Sequence, residues 1–406
     1  MFVMNIWFGL PLLVLAILSR LNSLSARKTG RFIGYNFAKS FAKMFSKFSR
    51  YYCLIEFLPK YAEDVTPCSL KTDTKPNEYA IVLQGPVLDG FTAETIRIYR
   101  KIFPKAVIIV STWKSTDSEL VAELRSLADE VILSDLPSTS GLLNIHYQTK
   151  SSYEGSKKAY ELGIPYSMKT RTDQRILQPM IFEYFKSLFE LFPLDNEFLD
   201  VQKERIITAS GGGIARPYFI NDFFYFGTSY DMMKFFDFPP DNMDNEIAAS
   251  LARLRTRKKN FRGIRIAPEA HIIKSYVYRT SKRPNECEAT VKRFWEDLRK
   301  RFLIISRSEL KLWSGKDGGK YDNKYVNFSS ASYTDSGQPE SDEAMPFTNQ
   351  LFLSLLKGHL LYEERFDEYQ KEVIEVFPEL GKFCKGYEHL EEVMSAIPIL
   401  RGEIKN

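Results

Sequence analysis

Residues 78–113, EYAIVLQGPVLDGFTAETIRIYRKIFPKAVIIVSTW, hold two short apolar runs with a helical stretch between them. The first run, Glu78–Leu83, stops at Gln84-Gly85-Pro86; the second, Ala106–Val110, ends at Ser111-Thr112-Trp113. Thr92–Ile102 reads as the helix that links them. Both runs are continuously apolar rather than alternating, which suits strands buried on both faces. Strand, helix, strand in this order predicts a parallel pair with a crossover helix.

The pattern continues outward. Glu119–Leu127 reads as a helix, Glu130–Leu133 as a third strand ending at Ser134-Asp135, and Ile145–Leu162 as a long helix. Pro165–Thr172 is a fourth strand, stopped at Asp173. This βαβαβαβ order specifies an α/β fold with a mainly parallel sheet flanked by helices. Further on come an apolar helix over 180–192, a strand Ile206–Ala209 before Gly211-Gly212-Gly213, and a strand Phe223–Thr228. A helix Tyr230–Phe236, a strand near 257–266 and a helix opened by Pro268-Glu269 come next. Residues 314–345 are polar and Gly/Ser-rich, so they read as a linker or loop, and 346–406 as a small C-terminal helical region. The main domain is therefore expected over 77–313, preceded by a Pro- and Thr-containing linker over 60–77.

Residues 1–60 differ from the rest. They carry nine Lys and Arg against Glu56, whereas the whole chain of 406 residues has a net charge of only +5. Basic charge gathered outside the main domain points to a membrane surface and away from a nucleic-acid groove. No charged side chain occurs from Phe2 to Ser19, a run that as a helix spans about 27 Å, close to the bilayer hydrocarbon. Three readings fit it: a membrane anchor, a signal peptide cleaved near Ser23 or Ser25, or a buried helix. Arg20, Arg27, Lys28 and Arg31 follow the run and nothing basic precedes it, which as an anchor leaves the body on the cytoplasmic side. Phe37, Phe41, Phe45 and Phe48 alternate with Lys39, Lys43 and Lys47 on opposite sides of a helix, the pattern of a segment lying among anionic headgroups or of a surface helix packed on the core. Cys53, Cys68, Cys287 and Cys384 form no C-x-x-C pair, which argues against a zinc cluster or a disulfide framework and for reduced thiols.

In an open parallel sheet, ligands collect outside the carboxyl ends of the strands. Gln84, Thr112, Asp135 and Asp173 fall there and are expected along one edge. The fourth strand also places Lys169, Arg171 and Asp173 on one face, and three charges in a central strand need partners. One solution is a diphosphate site, with Asp173 holding Mg²⁺ or Mn²⁺ and Lys169, Arg171 or Arg175 meeting phosphate. The other is an internal Arg171–Asp173 pair. Asp222, Glu246 and Glu269 are candidates for a base that deprotonates an acceptor hydroxyl.

The order IVLQGPV (81–87), IIVSTW (108–113), Ser134-Asp135, Asn144-x-x-x-Gln148, KTRTDQRI (169–176), Asp222-Phe-Phe-Tyr-Phe-Gly227 and Ala267-Pro268-Glu269 resembles the WavE lipopolysaccharide-synthesis family over about 77–310. The resemblance implies a GT-A-like glycosyltransferase that takes a nucleotide-sugar donor and a glycan or lipid-linked acceptor. Motif and strand-end position together make Gln84, Gly85, Pro86, Thr112, Asp135, Asn144, Gln148, Lys169, Arg171 and Asp173 the candidate donor-binding residues, and Asp222 and Glu269 the candidate catalytic ones. Where many GT-A enzymes have D-x-D, this chain has Arg171-Thr172-Asp173, so a second metal ligand must come from elsewhere or basic residues do part of the metal's work. A nucleotidyltransferase on a similar sheet and an inactive membrane scaffold are the competing readings.

Overall fold

The structure, a computed structural model, describes residues 39–40, 42–44, 47–48, 58–67, 75–141, 144–209, 218, 220, 222–237, 268–280 and 291–314. In chain order the main elements are β1 (Tyr79–Gln84), α1 (Phe91–Ile102), β2 (Val107–Trp113), α2 (Ser118–Leu127), β3 (Glu130–Ser134), α3 (Ile145–Glu161), β4 (Tyr166–Arg171) and β5 (Gln174–Ile176). They continue with α4 (Ile181–Leu191), β6 (Ile206–Ala209), β7 (Tyr225–Thr228), α5 (Ser229–Phe236), α6 (Pro268–Arg279), α7 (Val291–Arg301), β8 (Phe302–Ile305), α8 (Arg307–Leu310) and β9 (Leu312–Ser314).

Among the described residues seven strands form one sheet in the order β3-β2-β1-β4-β7-β6-β8. β3, β2, β1 and β4 are parallel neighbours; β7 alone runs against its neighbours β4 and β6, and β8 is parallel to β6. The carboxyl ends of β1, β2, β3, β4, β6 and β8 therefore share one edge, and β7 begins there. β5 and β9 pair separately as an antiparallel ribbon. Three details differ from the sequence reading. β2 runs on through Ser111-Thr112-Trp113, because neighbouring strands pair with those residues. β5, α7, β8 and β9 carry no pattern distinct enough to be read. Ser314, the first residue of the expected linker, closes β9 instead. The strand expected near 257–266, Gly211–Gly213, Glu246 and the regions 315–345 and 346–406 lie outside the described residues.

Strand alternation sorts the core. Tyr79, Tyr166 and Phe226 stack with Phe182, Phe185 and Phe189 of α4 on one face, the Tyr79 and Phe182 rings being 4.4 Å apart. On the other face α3 presents the buried small residues Ser151, Ser152, Gly155, Ser156 and Ala159. This lets α3 sit close: a Cβ on Gly155 would lie 2.3 Å from Val82 Cγ1 and 3.2 Å from Ser111 Cβ. Gly155→Ala would gain about 1 kcal/mol of helix propensity. The overlap costs more, because inserting a methyl group into a filled core costs about 1–3 kcal/mol and here one contact is far inside van der Waals range. We expect a net loss, read as a lower denaturant midpoint with an unchanged slope.

Residues 1–59 and 60–406 form separate compact units. In the first unit, residues 39–40, 42–44 and 47–48 are helical and Phe48 is 78% exposed. Among the described residues no helix is long and apolar enough to cross a membrane; the apolar run over 2–19 is outside them.

Candidate active site

β4 leaves the sheet at Arg171, and the next residue is tied to the turn after β1. Thr172 N–H donates to Gln84 O (3.1 Å), and its hydroxyl donates to Pro86 O (2.6 Å). Thr92 Oγ1 donates in turn to Thr172 O at 3.1 Å. Gly85 makes the turn possible: its φ of 113° is open to glycine and strained for other residues, and a Cβ there would lie 3.4 Å from Thr172 Oγ1. Three backbone and hydroxyl bonds thus fix where Asp173 emerges.

Arg171 joins two carboxylates. Its Nε and Nη2 donate to the two oxygens of Asp173, each at 2.9 Å, and its Nη1 lies 3.7 Å from Asp222 Oδ2. Asp222 reaches this place because it closely precedes β7, which starts at the same sheet edge. Lys169, on the same strand face as Arg171, is fully buried; its ammonium donates to Asp222 O at 2.6 Å and lies 5.7 Å from the centre of the Tyr225 ring. The formal charges of these four side chains cancel. The Asp173 and Asp222 side chains are each 10% exposed and that of Arg171 26%, so Arg171 is the most exposed of the four.

The remaining expected residues spread along the same edge. Gln84 is buried and its Oε1 accepts from Ser151 Oγ at 2.7 Å. Thr112 is buried, with its hydroxyl 3.2 Å from that of Thr116. Asp135 is exposed at the rim, paired with Lys114 at 2.7 Å. Asn144 stands at the start of α3 in a left-handed conformation (φ 67°) and is exposed. Gln148, one turn on, has a buried Nε2 with no hydrogen-bond partner among the described residues. Glu269 is the second residue of α6; its side chain is outside what the structure describes.

One expectation changes. Arg175 does not face the edge. It is buried, donates to Thr95 Oγ1 (2.9 Å), Lys60 O (2.7 Å) and Phe91 O (3.3 Å), and lies 4.0 Å from the Phe91 ring centre. Burial holds its guanidinium below the usual arginine range, and it serves as an internal strut. A cation at Asp173, as expected from the sequence, would share that carboxylate with Arg171, whose guanidinium donates to both oxygens. Ser151 and Thr92, which hold Gln84 and Thr172, escaped the sequence reading; the small-residue face of α3 was the signal for the first.

A family model described as WavE lipopolysaccharide synthesis matches residues 79–311. No curated protein sequence matches the chain. Three solved structures resemble part of it. One is assigned as a glucose-1-phosphate thymidylyltransferase from Bacillus anthracis, in complex with sucrose (12% identity, 40% of this chain and 75% of that one, TM-score 0.24). Another is a mannose-1-phosphate geranyltransferase from Thermus thermophilus (11%, 45% and 65%, TM-score 0.25). The third is a cytidylyltransferase from Leptospira borgpetersenii serovar Hardjo-bovis (12%, 40% and 66%, TM-score 0.22). The chain spans just under two thirds of the second and third. Likeness of this extent bears on neither activity nor substrate.

Proposed function

The chain belongs to the WavE lipopolysaccharide-synthesis family, and from that premise we propose that it is a GT-A-like glycosyltransferase that moves a sugar from a nucleotide-diphosphate donor to a lipopolysaccharide or other surface-glycan acceptor. The observation that carries this reading is the charged cluster at the carboxyl edge: Arg171 held by Asp173 beside Asp222, where open parallel sheets bind ligands. In the reaction, an acceptor hydroxyl oxygen bonds to the sugar's anomeric carbon as the bond from that carbon to the diphosphate oxygen breaks. The electron pair leaves with the diphosphate, whose growing charge faces the Arg171 guanidinium. The hydroxyl proton passes to a carboxylate, and among the described candidate bases Asp222 stands beside Arg171. Gln84 and Thr112 line the donor side, and Gln148 and Asn144 extend it along α3.

A thermal-shift screen of sugar nucleotides tests the assignment. At least one should raise the melting temperature, and product analysis should then find sugar on an acceptor glycan and free nucleoside diphosphate. Release of pyrophosphate from a nucleoside triphosphate would instead mark a nucleotidyltransferase, and no stabilisation by any nucleotide would mark a scaffold.

The basic region over 1–60 and its Phe and Lys periodicity support attachment to a membrane surface with the catalytic domain on the cytoplasmic side. Deleting residues 1–50 should move the protein from the membrane pellet to the supernatant with sugar-nucleotide stabilisation intact. A full-length protein already in the supernatant contradicts the attachment.

A further inference from the structure

The place where D-x-D would put its first carboxylate is occupied by Arg171, and its guanidinium lies between the two carboxylates that converge at the sheet edge. Asp173 offers both oxygens to it, in the bidentate geometry that fixes a guanidinium in orientation as well as position. A divalent ion bound to Asp173 would sit within about 5 Å of the guanidinium nitrogens, so the two cations would repel where they share one carboxylate. The guanidinium is itself a cationic group of the kind a metal would bring, and Arg171 is the most exposed side chain of the cluster. Resting on the donor site proposed above, we propose that Arg171 replaces the divalent cation: the donor diphosphate binds directly to the guanidinium, without Mg²⁺ or Mn²⁺. Asp173 is a positioning residue that holds the guanidinium in place, with Thr172 and the Gly85 turn fixing Asp173 in turn.

The test is calorimetric titration of the full-length protein with ADP, CDP, GDP, TDP and UDP, in chelator and again with Mn²⁺. Mn²⁺ uptake is followed separately by the paramagnetic resonance of the free ion. At least one diphosphate should bind in chelator, with its affinity changed less than about threefold by Mn²⁺, and Arg171→Gln should weaken it by about 30-fold or more, the loss of a charge-assisted bidentate contact. Asp173→Asn should weaken the diphosphate but not the corresponding nucleoside monophosphate, a selectivity that a merely structural role would not produce. Binding that appears only with Mn²⁺, together with Mn²⁺ uptake by the free protein, overturns the inference and leaves the donor site standing. Metal-independent binding that survives Arg171→Gln overturns it too, because the charge then comes from another group. If no diphosphate binds in either condition, the donor-site reading falls and this inference with it. The comparison of chelator with Mn²⁺ uses the wild-type protein alone, so it decides the question of the metal even if Arg171→Gln misfolds.

Discussion

Asp173→Asn should lower sugar transfer by about two orders of magnitude or more, the scale of losing one main electrostatic stabiliser. The substitution keeps the shape of the side chain. It removes the charge and one of the two oxygens that orient Arg171. The guanidinium then keeps the Asp222 carboxylate at 3.7 Å, but it is no longer fixed at both ends. Stability should change little, by about 1 kcal/mol, because asparagine keeps one oxygen that accepts from the guanidinium and Arg171 retains Asp222 beside it. The alternative role for Asp173 is balancing Arg171 within the fold. In that case the melting temperature should fall while the folded fraction keeps normal specific activity. Measuring both quantities on one preparation separates the two.

Asp231→Ala should have the larger effect on stability, about 3–5 kcal/mol, with no direct effect on the site. The Asp231 carboxylate is fully buried and accepts the backbone N–H groups of Lys203 (2.9 Å) and Glu204 (2.9 Å) and the Thr228 hydroxyl (2.7 Å). Thr228 in return caps α5 by accepting from Asp231 N–H. Alanine leaves these part-buried donors without that acceptor, and each group left orphaned away from water costs about 1–3 kcal/mol. Burial raises the Asp231 carboxyl above its ordinary range, and the donors pull it back only in part. A raised folded-state value contributes stability that is present in full below the unfolded-state value and lost as pH rises through the folded-state value. The gap between wild type and Asp231→Ala should therefore be widest in acid and narrow toward neutral pH. Urea unfolding at several pH values checks both size and trend. A gap below about 1 kcal/mol, or one that widens with pH, contradicts the account.

The parallel half of the sheet was legible because its strands are short apolar runs stopped by turn residues and separated by helices of ordinary length. β6 matches its expected span, Ile206–Ala209, and β1 differs only at its ends. The elements that escaped reading did so for physical reasons. β5 is three residues long and pairs with β9, far along the chain, so no local pattern announces it. Phe302–Ile305 is a run of four that could belong to a helix as easily as to a strand until its parallel pairing with β6 is known. The site was legible as a set of residues, since the carboxyl edge collects polar groups, but its geometry was not. The sequence places Arg171 and Asp173 on one strand. That Asp222 arrives beside them depends on β7 running antiparallel next to β4, a tertiary fact. Arg175 shows the converse: two residues beyond Asp173 it has turned away to a strut between α1 and the segment before β1, which a charge count along the chain cannot reveal.

The proposed donor site puts the diphosphate on Arg171 at the carboxyl edge of the sheet. A crystal structure of the protein with the sugar nucleotide that most raises its melting temperature tests this most directly. Diphosphate oxygens are expected within hydrogen-bonding distance of the Arg171 guanidinium, with Asp173 still holding its other side and the nucleoside running toward Gln84 and Thr112. A nucleotide bound elsewhere, with Arg171 closed on Asp173 and Asp222 and out of its reach, would contradict it.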